Sequence, residues 1–512
     1  MKVLDPLNDF LNGAPSTRNF FERSFLLEED VQKQIELVKT RKLHSEVVNA
    51  LREQNDGVSS LVDSQLEKLD DPNVVFVVTG QQLGLLGGPL FTLYKILTAI
   101  KYASDLEKSY RVPVIPIFWL QSEDHDFDEI AEAHIYDADL KTSKIKLTMD
   151  QSKLGGPVGE LLLSTSDVQD LKEQIDDPKF NLIVDKYAES KKLSLVFSEI
   201  IREFCSELGL VCFDFHAADL KPQLLGLILD AFSKSSEIAS VLKTRENELS
   251  QLGIKPQVHV REDSPLLFVT ENNQRMRVQN NSYSTEQIEK LIREEPKRIS
   301  TSALIRPLVQ DSLFKTVAYI AGPGEFQYWL QLKPLYQFFK LPQPLVVPRA
   351  KMFISEQAQT KLLRKLSIDV EDLRKDKLEL VKELVEFNLE KDFQELEGHL
   401  KDSFSKIEPH LLELDQNLKS PLAKTLNSSL QNLEKLKRKA ERSFVNRNAI
   451  LTEQVDRLVQ YFYPDNVPQE RVIAAASFFT AYGSEFVSKI YNEIDLKQLG
   501  KYQVVELDGV VG

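Results

Sequence analysis

Five short apolar runs constrain this chain more than any other feature: VVFVVT (74–79), VPVIPIFWL (112–120), GLVCFDF (209–215), AYIA (318–321) and PLVVP (344–348). Each is nearly continuous. A strand covered on one face alternates apolar with polar residues, whereas a strand covered on both faces does not. Helical patterns separate the runs, as in a parallel sheet with crossover helices on its two faces. Residues 1–354 therefore read as an α/β, Rossmann-like parallel-sheet core. The rhythm breaks near 135–200 and again near 220–300, where inserted connecting subdomains are expected. The second break contains PQVHVR and LLFVTENNQRMRV, which read as a small antiparallel hairpin turning at Glu271-Asn272-Asn273.

Past Pro348 the pattern changes, and to about residue 461 leucine recurs among lysine and glutamate with almost no glycine. Phe393, Leu396, Leu400, Phe404, Ile407, Leu411, Leu414 and Leu418 advance by threes and fours, a heptad-like seam. Ser420-Pro421 predicts a turn, and Leu426, Leu430, Leu433 and Leu436 a returning helix. Pro409 predicts a kink or break. Residues 355–461 thus read as an α-helical antiparallel coiled-coil domain, either packed on itself or serving as a homodimerisation arm. Residues 462–512 return to mixed character and are expected to rejoin the core.

Composition excludes several functions. The chain carries 78 acidic and 64 basic residues, a formal charge of −14, which opposes binding to nucleic acid or anionic membranes. No apolar run approaches the ~18 residues of a membrane span, and MKVLDPLNDF lacks the apolar core of a signal peptide. Cys205 and Cys212 fall in an apparent helix and strand, as core residues of a cytoplasmic protein would.

In an open parallel sheet, ligands bind outside the carboxyl ends of the strands, and the unusual residues of this sequence gather there. Gly80-Gln81-Gln82 follows the first run and leads through a glycine loop to Gly87-Gly88. Of 19 glycines in 512 residues, four lie between Gly80 and Gly88. A strand, a glycine loop and a helix start make a cradle for an anion, yet neither G-x-G-x-x-G nor a P-loop is present. Glu123-Asp124-His125-Asp126 follows the second run. An imidazole among carboxylates suits a general acid or a cation that contacts phosphate, while the same acids equally suit a helix cap. His216 follows the third run, Gly322-Pro323-Gly324-Glu325 and then Tyr328 the fourth, and Arg349 the fifth. In IRPLVQDSL, Arg306 and Asp311 flank a strand-like run with Gln310 beside them. Arg306 either holds a carboxylate bidentately or pairs with Asp311. Glu325 is either an acid at a helix start or an acceptor for a substrate amine or hydroxyl. No metal site is readable from the spacing.

The strings TGQQLGLLGGPLFTLYK (79–95), FWLQSEDHDFDEI (118–130), IRPLVQD (305–311), AGPGEFQYWLQL (321–332) and VPRA (347–350) resemble the motifs of the BshC family, the cysteine-adding enzyme of bacillithiol biosynthesis. The resemblance runs in order along the whole chain. It implies a Rossmann-like core with connecting insertions and a coiled coil used in dimerisation. It also implies a ligase that forms an amide between the carboxyl of L-cysteine and the amine of glucosaminyl-malate, the last step of that synthesis. Such a condensation needs an activated carboxyl, so ATP or another nucleotide is expected. On this reading His125 assists by proton transfer or by contacting the activated carboxyl, with Asp124 or Asp126 orienting its ring. Gln82, His216, Arg306 and Arg349 position the malyl and sugar groups. Gly80, Gln81, Gly87, Gly88, Glu123, Gln310, Gly322, Gly324, Glu325 and Tyr328 complete the substrate site. The alternatives are a nucleotide-binding scaffold or regulatory protein, or a nucleotidyltransferase of unknown substrate.

Overall fold

The computed structural model describes residues 6–13, 19–137, 140–258, 260, 265–279, 282–385 and 389–507. They form two compact units, Met1–Ile354 with Glu470–Gly512, and Ser355–Gln469.

In the first unit the five apolar runs build one sheet: β1 (Val75–Gln82), β2 (Val114–Gln121), β3 (Val211–Asp214), β4 (Thr316–Ala321) and β5 (Leu345–Pro348). The order is β5-β4-β1-β2-β3, with every neighbouring pair parallel. Burial on both faces explains the unbroken apolar runs. Phe76, Val78, Ile115, Ile117 and Trp119 join one core cluster with residues of helices Ser45–Asn55 and Pro323–Phe338. The intervening Val75, Val77 and Phe118 are buried too, on the side where α1 (Leu90–Tyr110) packs across β1 and β2. The chain runs outward from β1 to β2 and β3, then crosses back to place β4 on the opposite side of β1. The order therefore reverses between β1 and β4, which opens a crevice at their carboxyl ends. Val75 stands opposite Val114 and Gln82 opposite Gln121, so the polar ends of β1 and β2 finish side by side.

The insertions carry their own small sheets. Glu132–Tyr136 pairs antiparallel with Thr142–Lys146. The second insertion holds a three-stranded antiparallel sheet ordered Gln274–Arg277, Leu267–Glu271, Ile299–Thr301. The hairpin lies wholly within LLFVTENNQRMRV and turns at Asn272 and Asn273, whose φ of 49° and 59° suit a type I′ turn. The third strand comes from Ile299–Thr301, not from PQVHVR, whose described residues form no strand.

Two local expectations are corrected. IRPLVQDSL is a helix, Arg306–Leu313, with Pro307 in its first turn. Leu308, Val309, Gln310, Asp311 and Leu313 are all buried, so no amphipathic period marked it as helical. In the second unit, Glu390–Leu414 continues through Pro409 instead of breaking there. The turn falls at Asp415–Leu418, ahead of Ser420-Pro421, which lies in the first turn of Lys419–Arg447, where proline is tolerated. These two helices pack on each other as a hairpin. Phe393, Leu400, Phe404 and Leu411 are half-buried in the hairpin, whereas Leu396, Ile407 and Leu414 are 47%, 49% and 79% exposed.

Candidate active site

The carboxyl end of β2 borders a cleft of about 260 Å³. One wall is acidic and follows β2 directly. Glu123 lies against Lys221, and its Oε1 is 3.5 Å from Nδ1 of His216. Burial alone would raise the Glu123 carboxyl, but Lys221 and His216 outweigh it and bring it down to about 2. His216, 3% exposed, sits behind Glu123 with Nε2 3.6 Å from Glu160. It buttresses that carboxylate and does not line the cleft. Asp124 Oδ2 accepts from the Gln82 amide at 2.9 Å, and its Oδ1 accepts from the His125 main-chain N–H at 2.8 Å. Against the upward push of burial, these bonds hold the Asp124 carboxyl below its ordinary range. The same Oδ1 lies 3.2 Å from the His125 ring Nδ1, so Asp124 orients the imidazole. Asp126 does not. It caps the short helix Phe127–Ile130 by accepting from Glu129 N at 3.2 Å.

The opposite wall is basic and comes from the inserted sheet and the start of Arg306–Leu313. Arg275, Arg277 and Arg306 line it, with Ser302 between. Arg275 stacks on Phe268 with its guanidinium carbon 3.7 Å from the ring centre. Its Nε donates to Ser300 Oγ at 3.0 Å and one terminal nitrogen to Thr301 O at 3.2 Å. The other lies 3.4 Å from His125 Nδ1, so His125 has a cation beside it as well as carboxylates. Arg275 and Arg277 are absent from the expected site. Their signal was the two-residue spacing in QRMR, which puts both on one face of a strand.

A second group gathers at the β1/β4 crevice around Lys95, a buried cation in the apolar first half of α1. Lys95 is 1% exposed, and its Nζ lies 2.5 Å from Glu325 Oε2. It also donates to Gly80 O and, at 3.2 Å, to Gln81 Oε1. Glu325 accepts further from Gly322 N and from the Tyr319 hydroxyl, both at 2.8 Å, with Tyr328 Oη 3.4 Å away. Its carboxylate is thus a helix cap and the counter-ion of Lys95. Tyr328 reaches on to Arg306, which joins crevice to cleft. Arg306 makes no ion pair with Asp311. That carboxylate accepts from Tyr336 and from Gln310 at 3.0 Å instead, so Gln310 is a core residue, 4% exposed.

The glycine loop serves the chain's own packing. A Cβ on Gly87 would lie 2.5 Å from the ring of Phe204, and one on Gly84 would lie 2.7 Å from Gly88 Cα. Leu90 N donates to Ile473 O at 2.8 Å, Ala475 N donates to Gly88 O at 3.1 Å, and Leu86 N donates to the Tyr187 hydroxyl at 2.8 Å. Gly87 and Gly88 are therefore occupied by helix Leu193–Phe204 and the 473–475 segment, not open to an anion. Gly80 is buried in β1, where a Cβ would meet Trp119 O at 3.2 Å. Arg349 is likewise taken. Its two terminal nitrogens bind Glu470 at 2.6 and 2.8 Å, and both side chains are 1% exposed. Gly324 differs, since nothing lies within 4 Å of where its Cβ would be.

The cysteines are not nucleophiles. Burial pushes the Cys212 thiol up to about 11 and that of Cys205 higher still. Among the described residues no cluster of His, Cys, Asp and Glu could hold a metal ion, and no helix is long and apolar enough to cross a membrane.

Residues 4–350 match the family model "Bacillithiol biosynthesis BshC, N-terminal Rossmann-like domain", and residues 352–507 match "Bacillithiol biosynthesis BshC, C-terminal coiled-coil domain". The chain belongs to the BshC family. Relatives named "Putative cysteine ligase BshC" include one from Solibacter usitatus, 28% identical over 88% of this chain and 87% of the relative. A Geobacillus relative is 26% identical over 97% of both chains, and one from Bacillus cereus is 26% identical over 98% of this chain and 97% of its own. The BshC motifs thus fall into two classes in space. Those of 118–130 and 305–306 form the cleft, whereas much of 79–95 and 347–350 fastens the core. The Rossmann-like fold is one compatible with nucleotide binding.

Proposed function

We propose that this BshC-family chain, a ligase, joins the carboxyl of L-cysteine to the amine of glucosaminyl-malate as the last step of bacillithiol synthesis. The bipolar cleft carries this reading. A wall of ionised carboxylates, Glu123 and Asp124, faces a wall of guanidinium groups, Arg275, Arg277 and Arg306. Such a cleft fits ligands that are cationic at one end and anionic at the other, and both proposed substrates carry an amine and carboxylate. The relatives' name supports the cysteine half.

His125, held by Asp124, 46% exposed and beside Arg275 of the cleft wall, would take the proton released when the amine becomes an amide. Activation of the carboxyl falls to ATP or another nucleotide. The helix start on the β1/β4 crevice is capped by Glu325 at Gly322 N, but Gly324 leaves open space beside that cap, where a phosphate group would meet the positive end of the helix. Gly324 and Gln81 would hold it there, and it would supply the leaving group for amide formation. The exposed stripe Leu396, Ile407 and Leu414 supports a homodimer through the coiled coil, and the two buried thiols suit the cytoplasm. A strain lacking this gene should accumulate glucosaminyl-malate and lack its cysteinyl derivative by mass spectrometry. An unchanged thiol pool would refute the proposal.

A further inference from the structure

The two walls of the cleft are unequal in what their side chains have left to offer. Each guanidinium nitrogen of Arg275 already has a neighbour, in Ser300, Thr301 or His125, so Arg275 shapes the wall. Arg277 is exposed and makes no ion pair with a described residue. It rests against the Phe268 ring at 5.4 Å and lines the cleft. The Ser302 hydroxyl, on the same lining, is a buried oxygen without a hydrogen-bond partner among the described residues. Arg306 stands beside it in the first turn of its helix, whose dipole adds positive potential.

The spacing between the walls is built into the backbone. A strap over residues 153–159 docks on both. Asn273 Nδ2 donates to Lys153 O and Arg275 N to Gly155 O, each at 3.0 Å, which fixes the hairpin. Val158 N donates to Asp124 O at 2.6 Å and Gly159 N to Ser122 O at 3.0 Å, which fixes the acidic loop. Glycine is required at both docks. Gly155 has φ +112°, and a Cβ there would lie 2.6 Å from Asn273 O, while one on Gly159 would lie 2.5 Å from Ser122 Cβ. The strap therefore holds an arginine-bearing strand at a set distance from an ionised carboxylate.

We propose that the inserted three-stranded sheet is the specificity element for the acceptor: Arg277, Arg306 and the Ser302 hydroxyl hold a dicarboxylate while Glu123 faces the amine of the same molecule. This rests on the ligase reading above and names which chain elements read its acceptor. Two guanidinium groups from different elements suit two separate carboxylates, each of which accepts paired N–H bonds. A phosphate shares the anionic chemistry, but the ionised Glu123 across the cleft disfavours a ligand that is anionic throughout and favours one with a cationic end.

The test is titration calorimetry on the full chain with L-malate, and separately with inorganic phosphate, for the wild type, Arg277→Gln, Arg277→Lys and Arg306→Gln. Losing a charge-assisted hydrogen bond should weaken L-malate binding by roughly 10–100-fold in either glutamine variant, with partial recovery in Arg277→Lys. Wild type that binds no L-malate, variants that bind it as wild type does, or phosphate bound more tightly than L-malate through the same arginines would each overturn the proposal. Because Arg277 is exposed, its variants are expected to keep the wild-type melting temperature. The titration needs no turnover, so it stands apart from the ligase reading. Conversely, if product forms and Arg277→Gln leaves the KM for glucosaminyl-malate unchanged, the dicarboxylate assignment fails while the ligase reading stands.

Discussion

Replacing Arg349 with alanine separates a substrate role from a structural one. In the sequence Arg349 is a strand-end cation well placed for a substrate carboxylate. In the fold it is paired twice with Glu470, at 2.6 and 2.8 Å, and the Tyr502 hydroxyl adds a third bond to that carboxylate at 3.2 Å. Both partners are 1% exposed, so Arg349→Ala strands a buried carboxylate. Breaking a buried pair in this way costs about 3–5 kcal/mol. The core unit, of about four hundred residues, should then melt about 4–6 °C lower if it unfolds cooperatively. Arg349→Met/Glu470→Leu removes both charges together and should recover at least half of that loss, because a buried pair replaced by apolar side chains is often neutral. Differential scanning calorimetry with urea unfolding reads both variants. An Arg349→Ala protein that melts within 1 °C of wild type yet binds substrate poorly would refute this reasoning and return Arg349 to the site.

The remaining predictions are these. His125→Ala should lower turnover roughly 10²–10⁴-fold at unchanged melting temperature, while Asp126→Ala should lose about 1 kcal/mol of stability and keep its turnover; a folded His125→Ala enzyme with near-normal turnover would end the role given to His125. Burial lifts the Asp311 carboxyl from 3.8 to about 6, so the folded chain holds the extra proton between those values. Its stabilising contribution is complete below about pH 4 and lost as pH rises through 6, and Asp311→Asn should gain about 1–3 kcal/mol on wild type between pH 4 and 7 in urea unfolding; a difference that stays constant with pH contradicts this. Leu396→Asp/Ile407→Asp, at sites exposed on the helical hairpin, should yield a monomer by light scattering with helicity kept. A surviving dimer would place the contact elsewhere.

Much of the fold was legible because the sheet is covered on both faces. The five continuous apolar runs became its five strands, and the rule that ligands meet at strand ends led to Glu123 and Asp124. What failed depended on partners far along the chain. Gly87 needs its missing Cβ because Phe204 packs against it, and glycine reads alike whether the neighbour is a ligand or a helix. Arg349 looks free until Glu470 is beside it, and Gln310 looks polar and available until Asp311 is seen to hold it in the core. His216 stands at the expected strand end but one layer behind the cleft. Lys95 lies seven residues past Gly88 in the sequence, and only the turns of α1 bring it back to Gly80. Arg275 and Arg277 lie in the second inserted subdomain, and only the strap through Gly155 shows that this insertion closes the cleft.

The central claim is that one bipolar cleft joins an amino acid to an amine that also bears carboxylates. Purified protein incubated with L-cysteine, glucosaminyl-malate and ATP, followed by mass spectrometry, tests it most directly. The account predicts a cysteinyl product that forms with wild type, falls roughly 10²–10⁴-fold with His125→Ala, and does not form when glucosamine lacking the malyl group replaces the acceptor. No product from a folded enzyme with all three components present, or equal product from glucosamine alone, would contradict it.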